Sequence, residues 1–163
     1  MTIDDRFAKI DRMRYTKNSL SSMFALLAIV FDVLYFVNIY QSDVGTYYYN
    51  ILMGASVLYN LIFMLMAFLS SEGVKNYKAG YSWLLIALGA GQLIRIAILP
   101  WAAFHATYTI GKVTYSVMES GQFIYVVACL CLSAACCVAS AVINLIKSRQ
   151  LAKHIASLEQ QAA

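Results

Sequence analysis

Residues 20–40 read LSSMFALLAIVFDVLYFVNIY, an apolar run interrupted by a single charged residue, Asp32. A helix of about 20 predominantly apolar residues can cross a hydrocarbon core of about 30 Å. The polarity of the run does not alternate, as it would in a strand of a membrane barrel. The stretch therefore predicts a membrane-spanning helix.

Three further stretches have the same character: residues 49–69, 81–104 and 122–146. The composition agrees, because 61% of the 163 residues are hydrophobic and only 12% are charged. A typical soluble domain has about 25% charged residues. We therefore predict an all-α membrane protein, in which residues 1–163 form a single domain built as a four-helix transmembrane bundle.

The basic residues predict the orientation of this bundle. Ten of the twelve Lys and Arg side chains fall before the first span, between the second and third spans, or after the fourth. Basic residues close to span ends stay on the cytoplasmic side. We therefore expect both termini inside a bacterial cytoplasmic membrane and the loops at 41–48 and 105–121 outside. The ten residues are Arg6, Lys9, Arg12, Arg14, Lys17, Lys75, Lys78, Lys147, Arg149 and Lys153.

The segments before and after the spans both predict cytoplasmic amphipathic helices. In residues 1–19, Ile3, Phe7 and Ile10 follow the spacing of one helical face, which is typical of a helix lying on the inner leaflet. A partner-binding arm is the alternative. In residues 147–163, a short apolar stripe needs the N-terminal helix, a second copy or another protein to cover it. The stripe consists of Leu151, Ile155, Leu158 and Ala162.

The loop at 105–121 contains a nearly mirror-symmetric sequence, TYTIGKVTYS, over residues 107–116. Glycine as the first of two central residues suits a type II′ turn. Pairing outward from that turn sets Thr109 opposite Thr114 and Tyr108 opposite Tyr115, both favourable cross-strand pairs. The sequence predicts a small extracellular β-hairpin, with an irregular loop as the alternative.

Two charged residues within the spans are predicted to pair. Asp32 lies 12 residues beyond Leu20, and Arg95 lies 12 residues beyond Trp83. Both positions are then roughly 18 Å from the cytoplasmic ends of their spans, at about 1.5 Å per residue. A lone charge at the centre of a span costs about 2.5–3.5 kcal/mol. An ion pair that faces the bundle interior would lower this cost.

Gln92, Asn60 and Tyr35 are expected near the same level, and with the ion pair they form a predicted intramembrane polar cluster. Ionisable residues in spans often mark an ion or substrate pathway. A neutral pair can instead lock two helices together through hydrogen bonds. The structural interpretation is favoured, because the cluster holds one acid and one base that neutralise each other.

Small residues in the third and fourth spans predict helix-packing faces, since such residues allow close helix approach. The fourth span also holds all four cysteines, which lack the Cys-x-x-Cys spacing and are interpreted as small hydrophobic residues. The packing residues are Ala87 and Gly91 in the third span, and Cys129, Ser133, Cys137 and Ala141 in the fourth.

The sequence indicates no catalytic, metal or cofactor site. His105 and His154 fall at opposite ends of the bundle, and no phosphate loop, nucleophile elbow or carboxylate pair is visible. The basic excess is explained by topology, so nucleic-acid binding has no support. The expected partners are the lipid bilayer and further copies of the chain or other membrane-protein subunits.

The leading functional hypothesis is a non-enzymatic accessory, assembly or scaffold subunit of a larger membrane complex, such as a transporter. The alternative is a small oligomeric channel or transporter that uses the Asp32 and Arg95 polar cluster. The first hypothesis depends on the small-residue faces, the hairpin and the uncovered apolar stripe. The second depends on the charged residues in the spans.

Overall fold

A computed structural model describes residues 17–42, 44 and 51–162. The predicted helix over residues 1–19 lies outside these residues except at its last three positions. The elements are α1 (Ser19–Tyr40), α2 (Ile51–Lys75), α3 (Gly80–Ile98), α4 (Pro100–His105), β1 (Thr107–Ile110), β2 (Val113–Ser116) and α5 (Ser120–Ala162).

Four helical segments in the described part of the chain are long and apolar enough to cross a membrane. They are α1, α2, the combined segment of α3 and α4, and the first 38 residues of α5. The prediction of four apolar helices able to span a membrane is therefore confirmed. Apolar side chains such as Leu65 and Ile124 are largely exposed on the outer surface, as expected of helices that face lipid.

Two helices are longer than the predicted spans. α2 continues past residue 69 to Lys75, and Ser70, Ser71, Gly73 and Val74 in this extension are buried. The Ser70 hydroxyl donates to the Met66 carbonyl, one turn back, at 2.7 Å. α5 runs without a break for 43 residues, so the tail continues the fourth span as a helix, as the sequence predicts.

The third span is divided by Pro100, which has no amide hydrogen to donate to the preceding turn. The helix breaks at Leu99, directly before the proline. The chain resumes a helix at once, because the Ala103 amide donates to the Leu99 carbonyl at 2.9 Å and proline is well suited to the first position of a helix.

The hairpin has the predicted register. Tyr108 pairs with Tyr115 and Thr109 with Thr114, and the two tyrosine rings stack with their centroids 5.6 Å apart. Gly111 has a φ of 66°, and it is the only central turn residue with a positive φ, as a type II′ turn requires. The prediction of a β-hairpin is confirmed.

The helices enclose two hydrophobic clusters with polar side chains between them. α1 packs against α2 and α5, α3 packs against α5, and α2 and α3 contact each other less extensively. The cluster nearer the hairpin includes Tyr35 and Leu130, and the other includes Ala28 and Phe63. Asp32 lies on α1 between these two clusters.

Candidate functional site

Asp32 and Arg95 contact each other across the interior of the bundle. Arg95 Nη1 donates to Asp32 Oδ1 at 3.1 Å, which joins α3 to α1. Asp32 is completely buried, and Arg95 is only 5% exposed. Burial of two charges is tolerated when they pair and when hydrogen bonds satisfy their remaining polar atoms.

Three neutral side chains surround the pair. Gln92 Nε2 donates to Asp32 Oδ1 at 2.9 Å, Arg95 Nη1 also donates to Asn60 Oδ1, and Arg95 Nη2 donates to Ser56 Oγ at 2.9 Å. These five residues, here called the charged cluster, connect α1, α2 and α3. Ser56 was not predicted, although it lies one helical turn before Asn60 on the same face of α2.

Two tyrosine rings enclose the guanidinium group of Arg95. Its Cζ lies 4.3 Å from the centroid of the Tyr35 ring and 4.9 Å from that of Tyr59. Cations are attracted to aromatic faces at such distances. Tyr35 was among the predicted residues and Tyr59 was not. The positive charge is therefore held by a carboxylate, an amide, a hydroxyl and two aromatic faces.

The charged cluster retains unused hydrogen-bonding capacity. Asp32 Oδ2, Asn60 Nδ2 and Gln92 Oε1 are buried and have no hydrogen-bond partner among the described residues. A buried polar atom without a partner is unfavourable in an apolar medium. These atoms could therefore receive further polar partners without breaking the hydrogen bonds already made.

A second polar cluster lies at the opposite end of the bundle from the hairpin. The Ser21 hydroxyl donates to the Ser140 carbonyl at 2.7 Å, and the Ser140 hydroxyl donates to the Ser21 carbonyl at the same distance. The hydroxyls of Ser22 and Ser71 lie 2.7 Å apart. These contacts join α1 to both α5 and α2.

Asn144 completes this second cluster. Its Nδ2 donates to Ser82 Oγ at 2.8 Å, and its Oδ1 accepts from Asn18 Nδ2 at 3.2 Å. All of these side chains are buried. The sequence reasoning missed this cluster, although it contains pairs spaced three or four residues apart within apolar spans. The serine–asparagine cluster consists of Asn18, Ser21, Ser22, Ser71, Ser82, Ser140 and Asn144.

The predicted packing residues of the fourth span are all buried on α5: Cys129, Ser133, Cys137 and Ala141. Ser133 also donates its hydroxyl to the Ala28 carbonyl on α1 at 2.9 Å. All four cysteines are free thiols. This face of α5 is therefore packed within the bundle and includes one interhelical hydrogen bond.

The small residues of α3 contact two different helices. A Cβ atom on Gly89 would lie 3.3 Å from the Ala134 carbonyl oxygen of α5. Ala87 is exposed, and Gly91 faces the Tyr59 hydroxyl of α2. Gly91, a predicted packing residue, thus faces α2, whereas the close approach to α5 is at Gly89, which was not predicted.

The remaining predicted groups lie apart from both clusters. His105 is at the end of α4, where its Nδ1 lies 2.9 Å from the Trp101 carbonyl oxygen, and His154 is in the α5 tail. Within residues 17–42, 44 and 51–162, no group of three or more His, Cys, Asp or Glu side chains could hold a metal ion.

The charged cluster offers two kinds of chemistry. It can hold three helices together as a neutral hydrogen-bonded unit, or it can present polar atoms to a solute within the bundle. Comparison with known proteins adds no third possibility, because the chain matches no family model, no curated protein and no solved structure.

Proposed function

We propose that the chain is a non-enzymatic multi-pass membrane protein that acts through contacts, as an accessory, assembly or scaffold subunit of a larger membrane complex. The observation that carries the proposal is the projecting end of α5. This helix continues well beyond the apolar span, and Ile155 within it is 47% exposed. A short helical extension gains stability when another surface covers its apolar side chains.

The hairpin supports the same proposal at the other end of the bundle. Ile110 and Val113, which flank its turn, are 66% and 52% exposed. An isolated two-stranded hairpin is marginally stable in water. Both projecting elements would therefore be stabilised by other subunits or by further copies of the chain.

We further propose that the hairpin lies outside a bacterial cytoplasmic membrane and that both termini lie inside. Lys75, Lys78 and Lys147 lie at the end of the bundle opposite the hairpin, and basic residues favour the cytoplasmic side. A reporter enzyme that is active only outside the membrane should be active when inserted between Gly111 and Lys112 and inactive at the C terminus. The reverse pattern would contradict this orientation.

The proposed contact function predicts a partner that depends on the α5 tail. After crosslinking in intact membranes and purification in mild detergent, the full chain should carry another membrane protein or a second copy at fixed stoichiometry. Ile155→Asp should weaken this association, whereas Gln150→Asp, at an exposed polar position of the same helix, should leave it unchanged. A wild-type chain recovered only as a lone monomer would contradict the proposal.

A small oligomeric channel or transporter is the second candidate. The unpartnered atoms of Asp32, Asn60 and Gln92 favour it, because polar atoms of this kind can line a solute pathway. Proteoliposomes containing the chain should then show ion or solute flux that Asp32→Asn abolishes. Under the contact proposal, empty and loaded proteoliposomes should show equal flux, and Asp32→Asn should alter only stability.

A further inference from the structure

A groove opens on the lipid-facing side of the bundle between α2 and α3, which contact each other less than α1 contacts α2 or α5 and less than α3 contacts α5. Its volume is about 390 Å³, and apolar side chains line most of it. Leu52, Ala55 and Tyr59 contribute from α2, and Ile94 and Ile98 contribute from α3. Because the groove faces sideways, an occupant would enter it from the lipid rather than from water.

One wall of the groove carries hydrogen-bond donors. Ser56 and Arg95 both line it. The Ser56 oxygen accepts a hydrogen bond from Arg95 Nη2 at 2.9 Å, which polarises the Ser56 hydroxyl as a donor. Arg95 is 5% exposed, and its Nε has no acceptor among the described residues. Lipid tails provide no acceptors for these groups.

The net charge of Arg95 and its partner determines whether an anionic or an uncharged ligand suits the groove. Arg95 already pairs with Asp32 at 3.1 Å, so the pair is neutral as a whole. An anion in the groove would introduce an uncompensated charge into an apolar setting, which is costly. An uncharged acceptor such as a carbonyl oxygen could satisfy the donors without that cost.

The shape of the groove favours a planar group. The Tyr59 ring lines it, and its hydroxyl lies so close to Gly91 that a Cβ there would be 2.5 Å from the oxygen. The absence of a side chain at Gly91 thus leaves room for the Tyr59 hydroxyl against α3, with the Tyr59 ring on the wall of the groove. Small-molecule sites typically measure about 300–1,000 Å³, and the lower end of that range suits a single-ring head with the start of its tail.

We propose that this groove binds an uncharged, membrane-soluble molecule with a planar, carbonyl-bearing head, the chemistry of an isoprenoid quinone. The carbonyl oxygen accepts from the Ser56 and Arg95 wall, the ring packs on Tyr59, and the apolar tail leaves between α2 and α3. This binding site goes beyond the proposed contact function and does not depend on it.

Direct binding tests the proposal. The full chain in phosphatidylcholine nanodiscs is equilibrated with a ubiquinone that carries two isoprene units, and retained quinone is measured by chromatography. We expect saturable binding of one quinone per chain. The matching isoprenoid hydrocarbon without a carbonyl should bind about tenfold more weakly, as expected from the loss of one or two hydrogen bonds. Palmitate, an anionic probe, should not displace the quinone.

Variants locate the site. Ala55→Phe, which fills the groove from α2, should weaken binding at least tenfold, and Ile94→Phe provides the same block from α3 if the first variant does not fold. Ser56→Ala should weaken binding about fivefold, as for one lost hydrogen bond. Ala135→Phe, at an exposed position of α5, is the matched control and should bind like the wild type.

Four results would overturn the proposal: no saturable quinone binding, equal binding of the hydrocarbon, displacement of quinone by palmitate, or equal binding by the Ala55→Phe and Ala135→Phe variants. A dimer that covers the groove with a second copy would give the first of these results. Loss of the protein partner in the α5 tail experiment would leave quinone binding unaffected, so the two proposals can fail separately.

Discussion

The two polar clusters of the bundle join helices by different physical means. The charged cluster connects α1, α2 and α3 through one acid, one base and the neutral groups bonded to them. The serine–asparagine cluster connects all four long helices with uncharged groups, several of which donate to backbone carbonyls. A buried charge is stable only beside an opposite charge, whereas a buried hydroxyl can donate to any of several acceptors.

The two clusters differ in what a substitution leaves behind in the interior of the bundle. Loss of one member of a buried ion pair leaves an unpaired charge in a medium of low dielectric constant. Loss of the Ser21 or Ser140 hydroxyl leaves a backbone carbonyl that lies within a helix and accepts from that helix as well. We therefore expect the charged cluster to fail as a unit and the serine–asparagine cluster to weaken one contact at a time.

The largest expected effect is that of Arg95→Ala. This variant leaves Asp32 buried without a cation and should lower the free energy of unfolding by about 3–5 kcal/mol. The measurement is reversible unfolding in mixed micelles. Combining it with Asp32→Ala should restore part of the loss, and a double variant less stable than Arg95→Ala would show that the ion pair is not what couples the two residues.

An intermediate effect is expected for Asn144→Leu. Asn144 bonds to Ser82, to Asn18 and to the Lys78 carbonyl, so the variant leaves buried partners unsatisfied and should lower the free energy of unfolding by about 1–3 kcal/mol. Asn38→Leu, which removes a single half-buried bond to Gln122, is the control. An equal loss of unfolding free energy in the two variants would show that a residue of the cluster matters no more than one isolated hydrogen bond.

The smallest expected effect is that of Ser21→Ala. Its contacts with Ser140 are reciprocal, and one of the two hydroxyl–carbonyl bonds survives the change. Interhelical hydrogen bonds in membranes average about 0.6 kcal/mol, so the loss of unfolding free energy should be of that size. Ser19→Ala, at an exposed position of the same helix, should be neutral. A loss near that of Arg95→Ala would contradict the comparison.

The sequence predicts the spans and the hairpin because both are local properties. A long apolar run determines a span, and Gly111 followed by Lys112 between matching residues determines the turn and its register. The contact between Asp32 and Arg95 is predictable for a different reason. A charge in a span is costly, and Asp32 and Arg95 are the only two charged residues in the four predicted spans.

A serine in a span is a much weaker sequence indication of an interhelical contact than a charged residue is. A serine in a span can bond to its own helix, as Ser70 does to the Met66 carbonyl, so its presence does not indicate an interhelical partner. Ser56 and the serines of the second cluster therefore went unpredicted. Gly89 also went unpredicted; residues two apart lie about 200° apart around a helix, so Gly89 and Gly91 face different helices.

The unbroken length of α5 determines how far its C-terminal end lies from the fourth predicted span. Residues 147–162 continue the helix beyond the fourth predicted span, and at about 1.5 Å per residue they extend it by roughly 24 Å. Under the proposed contact function, a rigid helix of this length would hold a protein bound at its far end at a fixed distance from the apolar span. Deleting four residues, about one turn, would shorten the helix by about 6 Å and rotate its far end by about 40°.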